Sequence, residues 1–467
     1  MLIAPGESPD DIARPRTLAR LVHEVRRAEH MGVPIVPVGA RYALARPHAS
    51  RGLQLRTDGL RRRLGDRARE RRDEWVERDL FRCEAGATVE AINERLAARG
   101  LALPTMGAFA RQTIGGAVAT STHGSGLSSG PMCDMVVSAE IVTGGGLALR
   151  VEPTDGPTDP ARFSSDRCDL IQDDTIFHSV VAGLGAAGAL YSVTLRVVPD
   201  EVLEETRTLT TFEELRARLM SRAFVRTFRD LAVLVNPHER GGRHAASVTA
   251  ISTATDPHAA RRGRPRHNLV PRLLEGIPFG AYAAAFLKHR PGSAPVAIDA
   301  ALSALRGQRV IGRTAEVLAA TPLNETVKAH AVELAFPLAD VVSATDAVFA
   351  LAREEARRGR YLTAPMTIRF QGASKHLLSP QYDRETATLE LIVLDGTGDE
   401  ERLLAPYVDL LASLGGRVHF GLSLPRRASS QRLLANIPAL ELWRRTVEAL
   451  DPRRTFVHRL VREAGLR

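Results

Sequence analysis

The chain has 467 residues, 44% of them hydrophobic and 25% charged, and a formal net charge of +9. That length provides for two or three domains with full cores, while no apolar run reaches the roughly 18 residues of a membrane-spanning helix. Only 5% of the residues are aromatic, so the basic excess lacks the stacking surface of a single-strand binder, and nucleic acid is not an expected partner.

The N-terminal MLIAPGESPDD has no basic stretch leading into an apolar one, which makes the cytoplasm the expected location. Cys83, Cys133 and Cys168 are scattered and form neither a metal motif nor a disulfide framework. Thr17 to Met31 reads as a helix, with Leu18, Leu21, Val22, Val25 and Ala28 on one face, Thr17 as N-cap and Gly32 just beyond. A β-branched strand from Val33 to Val38 then runs into Gly39, Ala40, Arg41 and Tyr42, where main-chain amides can turn toward an anion. Gly52 to Arg56 and Leu80 to Ala87 read as a strand and a strand-turn flanking the basic block Arg61 to Arg72, which is expected on the solvated surface. Val89 to Ala98 is an amphipathic helix stopped by Gly100.

Arg111 to Ser125 (RQTIGGAVATSTHGS) is the most informative stretch. Gly115 and Gly116 remove Cβ atoms and let amides approach an anionic group, for which a diphosphate is the natural guest. The same residues would also serve a tight turn in a buried segment. Met135 to Thr143 and Leu147 to Val151 form a hairpin about Gly144–Gly146. A polar segment, Glu152 to Asp174, precedes a small-residue passage from Gly183 to Leu190 and a strand from Tyr191 to Val198. Pro199-Asp200 marks a domain boundary. Beyond it, strands are expected at Leu231–Val235, Ala246–Ile251, Pro365–Phe370 and Ala387–Leu394, a helix near Leu338–Arg357, and a core helix or cap element at Ile277–Leu287. A second basic block, Arg261 to His267, lies in a Pro- and Arg-rich loop, and helix-like stretches at Pro438–Leu450 and Arg459–Ala464 end the chain.

Taken together, Val38-Gly39-Ala40-Arg41, Glu84-Ala85-Gly86, Thr113 to Ser125, Glu140 to Thr143 and Gly183 to Gly188 resemble the FAD-linked oxidases of the vanillyl-alcohol-oxidase fold, and within them the aldonolactone and alditol oxidases. The resemblance implies an α+β fold: a two-subdomain PCMH-type FAD-binding domain over residues 1–200, an antiparallel-sheet cap over 201–405, and a segment 406–467 returning to the flavin domain. It places Gly39, Ala40, Arg41 and Tyr42 with Thr113, Ile114, Gly115, Gly116, Ala117, Ala119 and Thr120 around the FAD diphosphate. Thr122, His123, Gly124 and Ser125 would pass near the ribityl chain and flavin, and Gly183, Gly188 and Leu190 near the adenine end and ring system.

Two departures from the family pattern carry expectations of their own. The first loop of these oxidases usually ends in His-Ser, and that His often bonds the flavin. Here Tyr42-Ala43 stand in its place, so FAD is expected to be non-covalent, with His48 read as a loop histidine. The family's Glu-x-Arg pair and C-terminal Lys become Thr367-Ile368-Arg369 and Leu422. Arg369 remains as the anion-stabilising group and His419 as the base, for hydride transfer from a hydroxyl-bearing carbon of a sugar-like or specialised small molecule, with oxygen or another acceptor taking the electrons. The alternative is a flavin-binding protein whose chemistry has decayed, acting as partner or scaffold.

Overall fold

Helices begin where the sequence offers a side-chain cap. In the computed structural model, which describes residues 9–65, 67–256, 279–319 and 328–467, the Thr17 hydroxyl accepts from the Arg20 N–H and opens α1 (Leu18–His30). Its buried Leu21 and Val25 pack on Ile35, Leu53 and Leu55. Those residues belong to a three-stranded parallel sheet of β1 (Asp11–Ala13), β2 (Ile35–Val38) and β3 (Leu53–Arg56), in the order β1-β3-β2. Thr88 caps α2 (Val89–Ala97) in the same way.

After β4 (Leu80–Glu84) comes the two-residue β5 (Leu101–Ala102), and then the expected hairpin, β6 (Val136–Val142) against β7 (Ala148–Glu152) in antiparallel register. The polar segment that follows is not all loop. It contains β8 (Asp169–Gln172), parallel to β7, and leads through a helix at Asp174–Val180 to β9 (Ala189–Arg196). The five strands assemble as β4-β9-β6-β7-β8, while β10 (Val198–Pro199) pairs with β5. The outer face of this sheet bears the buried carboxylates Glu84 and Glu140, which need donors. The basic block is largely exposed, as expected, and supplies them: exposed Arg62 bonds Glu84, and half-buried Arg67 bonds Glu140. All three cysteines are free and buried.

The second half is built on an eight-stranded sheet. Its strands are β11 (Val202–Thr211), β12 (Asp230–Val235), β13 (Ala245–Thr253), β14 (Arg309–Arg313), β15 (Ala329–Pro337), β16 (Met366–Gln371), β17 (Thr386–Leu394) and β18 (Arg417–Val418), in the order β14-β11-β13-β12-β16-β17-β15-β18 with every pair antiparallel. Edge strand β18 carries this sheet past residue 405. Helices at Val341–Arg357 and Glu400–Ser413 bury apolar faces in the same core. In the helix over Phe279–His289, among the described side chains, Ala284 and Leu287 are buried while Tyr282 is 65% and Phe286 55% exposed, so this part of it is a surface element of this half and not a core helix. Ile277, Pro278 and the block Arg261–His267 lie outside the described residues.

The C-terminal segment returns to the first half. Ile35 N–H donates to the Thr455 carbonyl at 2.7 Å, Trp443 Nε1 donates to the Ser179 carbonyl at 3.1 Å, and Arg467 pairs with buried Asp451 at 3.0 Å. Among the described residues, no helix is long and apolar enough to cross a membrane.

Candidate active site

Three of the stretches singled out from the sequence meet in space. Thr113 opens a six-residue helix, α3 (Ile114–Ala119), where the sequence reading had a glycine turn, and its hydroxyl accepts from the Gly116 N–H at 3.4 Å. A Cβ on Gly39 would overlap that same Thr113 hydroxyl, so the first loop lies directly on the cap of α3. The Leu184 N–H of the third stretch donates to the Ala119 carbonyl at 3.1 Å. Each of the three stretches also holds one non-glycine residue in the left-handed region: Arg41 (φ 66°), Ser121 (φ 56°) and Leu184 (φ 57°). Such conformations cost of order 1–3 kcal/mol each and cluster at functional sites.

The glycines differ in what they serve. Gly116, with Ala119 and Thr120, is half-buried, and a Cβ there would meet the Thr113 hydroxyl at 3.1 Å. Ile114, Gly115 and Ala117 face inward, with Gly115 against Ala85. Gly183 and Gly188 are buried with their Cα atoms against the carbonyls of Ser179 and Val142, and Leu190 is buried too. In these last three the small or apolar residue serves chain packing. Ala40 and Arg41 are exposed, and the Tyr42 ring lies 5.8 Å from that of Phe109. His48 is half-buried, and burial pushes its pKa down.

The Thr122 to Ser125 end is stitched to the eight-stranded sheet. Ser125 Oγ donates to the Leu231 carbonyl on β12 and accepts from the Phe370 N–H on β16 at 3.1 Å, while Gln371 Nε2 donates to the Gly124 carbonyl at 3.0 Å. His123 lies between the Gly124 carbonyl, 3.0 Å from Nδ1, and Glu333 Oε1, 2.7 Å from Nε2. Strand register then sets three positions side by side: Thr367 on β16 faces Glu390 on β17, which faces Glu333 on β15. Arg369, two residues from Thr367 and hence on the same face, donates to Glu390 Oε2 and lies 3.6 Å from Glu333 Oε2, which also accepts from Thr388 Oγ1 at 3.2 Å.

The charges follow from this packing. Burial alone would raise the Glu333 carboxyl, but the charge and hydrogen bond of His123, aided by Arg369, hold it well below the usual carboxylate range. Burial raises Glu390, and the Glu333 charge adds to this against the pull of Arg369. The structure thus brings Arg369 and His419 into one cluster, the two rings of His123 and His419 being 5.5 Å apart. His419 is nevertheless poorly placed as a base. Its Nδ1 accepts from the Gly421 N–H at 3.2 Å, the Ser121 backbone bonds the ring as well, and burial pushes its pKa down to about 4. Glu333 and Glu390 were not found from the sequence. Their signal is present there, as single charges inside otherwise apolar strands, AVELAF and TLELIVL.

The loops fit an FAD diphosphate. The first loop turns through Arg41 at φ 66° with Ala40 and Arg41 exposed, so its main-chain amides can neutralise an anion without a lysine, while the first amides of α3 are spent on the Ala87 and Ala85 carbonyls and the Thr113 hydroxyl. Comparison with known proteins agrees. A model described as FAD binding domain matches residues 9–152, and one described as D-arabinono-1,4-lactone oxidase matches residues 193–464. L-gulono-1,4-lactone dehydrogenase of Mycobacterium tuberculosis is 24% identical over 97% of this chain and 96% of its own length. D-arabinono-1,4-lactone oxidase of Yarrowia lipolytica is 30% identical over 28% of this chain, a match spanning only 22% of that relative. The crystal structure of cholesterol oxidase from B. sterolicum shares the fold with a TM-score of 0.72 and 14% identity, over 97% of this chain and 93% of that one. Because the lactone oxidase model covers more than half of its length, and the flavin model most of the remainder, the chain belongs to the D-arabinono-1,4-lactone oxidase family, an FAD-dependent oxidoreductase acting on CH–OH groups.

Proposed function

We propose that this protein oxidises a hydroxyl-bearing carbon of a polyhydroxylated, lactone-like small molecule, and that its substrate meets the cluster of Arg369, Glu390, Glu333 and His123. The observation that carries this reading is the placement of a guanidinium and two buried carboxylates where the sheet is stitched to the Thr122–Ser125 loop. A site of this polarity suits a ligand with several hydroxyls, since buried charged groups facing an apolar ligand would lose their hydration without replacement. FAD, when bound, supplies the hydride acceptor at its N5 position. The protein's own residues do the rest. Main-chain amides of Gly39–Tyr42 would hold the diphosphate, beside the Thr113–Thr120 segment, and Arg369 would orient a substrate oxygen by donating to it. His123 and His419 hold the loop against the sheet.

Several finer readings belong to the same proposal. FAD is held without a covalent bond, because Tyr42 offers no imidazole, and oxygen or another acceptor reoxidises it. Nucleic acid is not a partner, residues 1–200, 201–405 and 406–467 act as flavin domain, cap and returning segment, and the buried free thiols suit a reducing cytoplasm. One preparation tests the core of this. The purified protein should be yellow, acid precipitation should release the flavin into the supernatant, and L-gulono-1,4-lactone or D-arabinono-1,4-lactone should bleach it under nitrogen. A flavin-loaded protein that no lactone or polyol reduces would instead indicate decayed chemistry.

A further inference from the structure

Glu333 and Glu390 lie on neighbouring strands, but only one of them is fully engaged. Glu333 uses both oxygens within the protein, one for His123 at 2.7 Å and the other for Thr388 at 3.2 Å. Glu390 accepts from Arg369 through Oε2, and among the described residues its Oε1 has no protein partner and is not sealed from solvent. Arg369 is similarly open. Among the described residues only Nη2 donates a hydrogen bond to a protein acceptor, Nη1 lying 3.6 Å from Glu333, and the Arg369 side chain stays 26% accessible against 11% for Glu390. A free acceptor and free donors therefore lie side by side at the base of the site.

The register adds a second observation. Glu390 stands directly across from Thr367, the position at which the resembling oxidases carry the acid of their Glu-x-Arg pair. Cross-strand neighbours have Cβ atoms about 4.5–5.5 Å apart, a shift that a glutamate side chain can span. Resting on the function proposed above, we propose that Glu390 is the specificity-determining carboxylate of this site: its free oxygen accepts a substrate hydroxyl while Arg369 donates to the adjacent substrate oxygen, so the acid missing at position 367 is supplied from the next strand. The ligand class that satisfies both groups at once is a hydroxyl vicinal to a second oxygen, as in a sugar lactone or polyol. A single-hydroxyl sterol or simple alcohol leaves one of the two unmet.

The test uses the flavin-loaded full chain, reduced with dithionite under nitrogen so that L-gulono-1,4-lactone binds without turnover and is titrated by its effect on the reduced-flavin absorbance. Steady-state KM and kcat are measured in parallel. Glu390→Gln should raise Kd and KM by about 10- to 100-fold, the worth of one hydrogen bond to a charged group, with flavin content unchanged and kcat moving less. Adding Thr367→Glu to that variant should recover most of the lost affinity, which a merely structural role for Glu390 would not produce. If Glu390→Gln does not retain flavin, Glu390→Asp keeps the charge beside Arg369, withdraws the oxygen, and is judged by the same criterion. An unchanged Kd, or a loss that Thr367→Glu leaves uncorrected, overturns the assignment. Wild-type protein that binds no lactone overturns the proposed function instead, so the two failures are distinguishable.

Discussion

Replacing Glu333 by Gln tests whether the junction between loop and sheet is held by charge. Glu333 is buried, accepts from His123 at 2.7 Å and from Thr388 at 3.2 Å, and lies 3.6 Å from the Arg369 guanidinium. A glutamine keeps the shape but offers one acceptor where the carboxylate offers two. If its oxygen faces His123, its NH2 is turned toward Thr388 and Arg369, two groups that had been donors. Removing one partner of a buried ion pair costs about 3–5 kcal/mol, and the retained hydrogen bond places Glu333→Gln at the lower end, about 3 kcal/mol. The pH dependence has a definite sign. The folded-state pKa of Glu333 is depressed, so its contribution is present above the unfolded value of about 4.3 and is lost as pH falls through the folded value. Urea unfolding of the apoprotein, followed by far-UV circular dichroism between pH 7 and pH 3, should show wild type and variant furthest apart at neutral pH and converging at the acid end. A difference at pH 7 below about 1 kcal/mol, the scale of a surface pair, or a gap that widens on acidification, would refute an ion pair at this junction.

Three further outcomes follow from the same geometry. Gly39→Ala forces a methyl into the Thr113 hydroxyl; overpacking of this kind costs about 1–3 kcal/mol, so the ratio of flavin to protein absorbance should drop by about tenfold or more in dilute solution, and an unchanged ratio would show that the two loops do not meet as described. Burial raises the Asp134 carboxyl to about 7 against the Ser374 hydrogen bond. Its contribution is therefore favourable at acid pH and is lost as pH rises from about 3.9 through that value, and Asp134→Asn should raise the melting temperature more at pH 8 than at pH 5; an equal change at both would exclude a raised, titrating Asp134. Asp451 accepts from the Thr455 and Phe456 N–H groups at 2.8 and 3.0 Å and pairs with Arg467. Asp451→Ala should cost about 3–5 kcal/mol and speed proteolysis within residues 451–467, and a tail as resistant as wild type would mean that it is anchored elsewhere.

Legibility in the sequence tracked how local each interaction is. α1 could be read because cap, apolar face and stop fall within one helix, at Thr17 with Gly32, and α2 from its apolar face and Gly100, its Thr88 cap emerging only in the structure. The β6–β7 hairpin was legible because three glycines close it within the chain. β8 was not, because a short polar strand parallel to β7 has no turn to announce it. α3 was read as a turn because Gly115 and Gly116 disfavour helix by about 1 kcal/mol each, a cost offset here by the Thr113 cap and by burial of Ile114 and Val118. The Arg61–Arg72 block is largely exposed, as read, but its pairing with Glu84 and Glu140 was not legible, because those carboxylates lie on strands distant from it in the chain.

For the site, the amino-acid sequence by itself determined that Gly39, Thr113–Ser125 and Gly183–Gly188 would form close-approach backbone, since these depend on the absence of a side chain at particular positions. It also determined that Arg369 would survive where an acid and a lysine do not. Only the tertiary structure decided which groups stand beside Arg369. Glu333, Glu390 and His123 are separated from it by between 21 and 246 residues in the chain, and they meet because β15, β16 and β17 pair in one register and Ser125 ties the loop to β12 and β16. A slip of one residue in that pairing would turn both carboxylates to the opposite face. The charge at the site is therefore a property of the register, which no single segment of the chain contains.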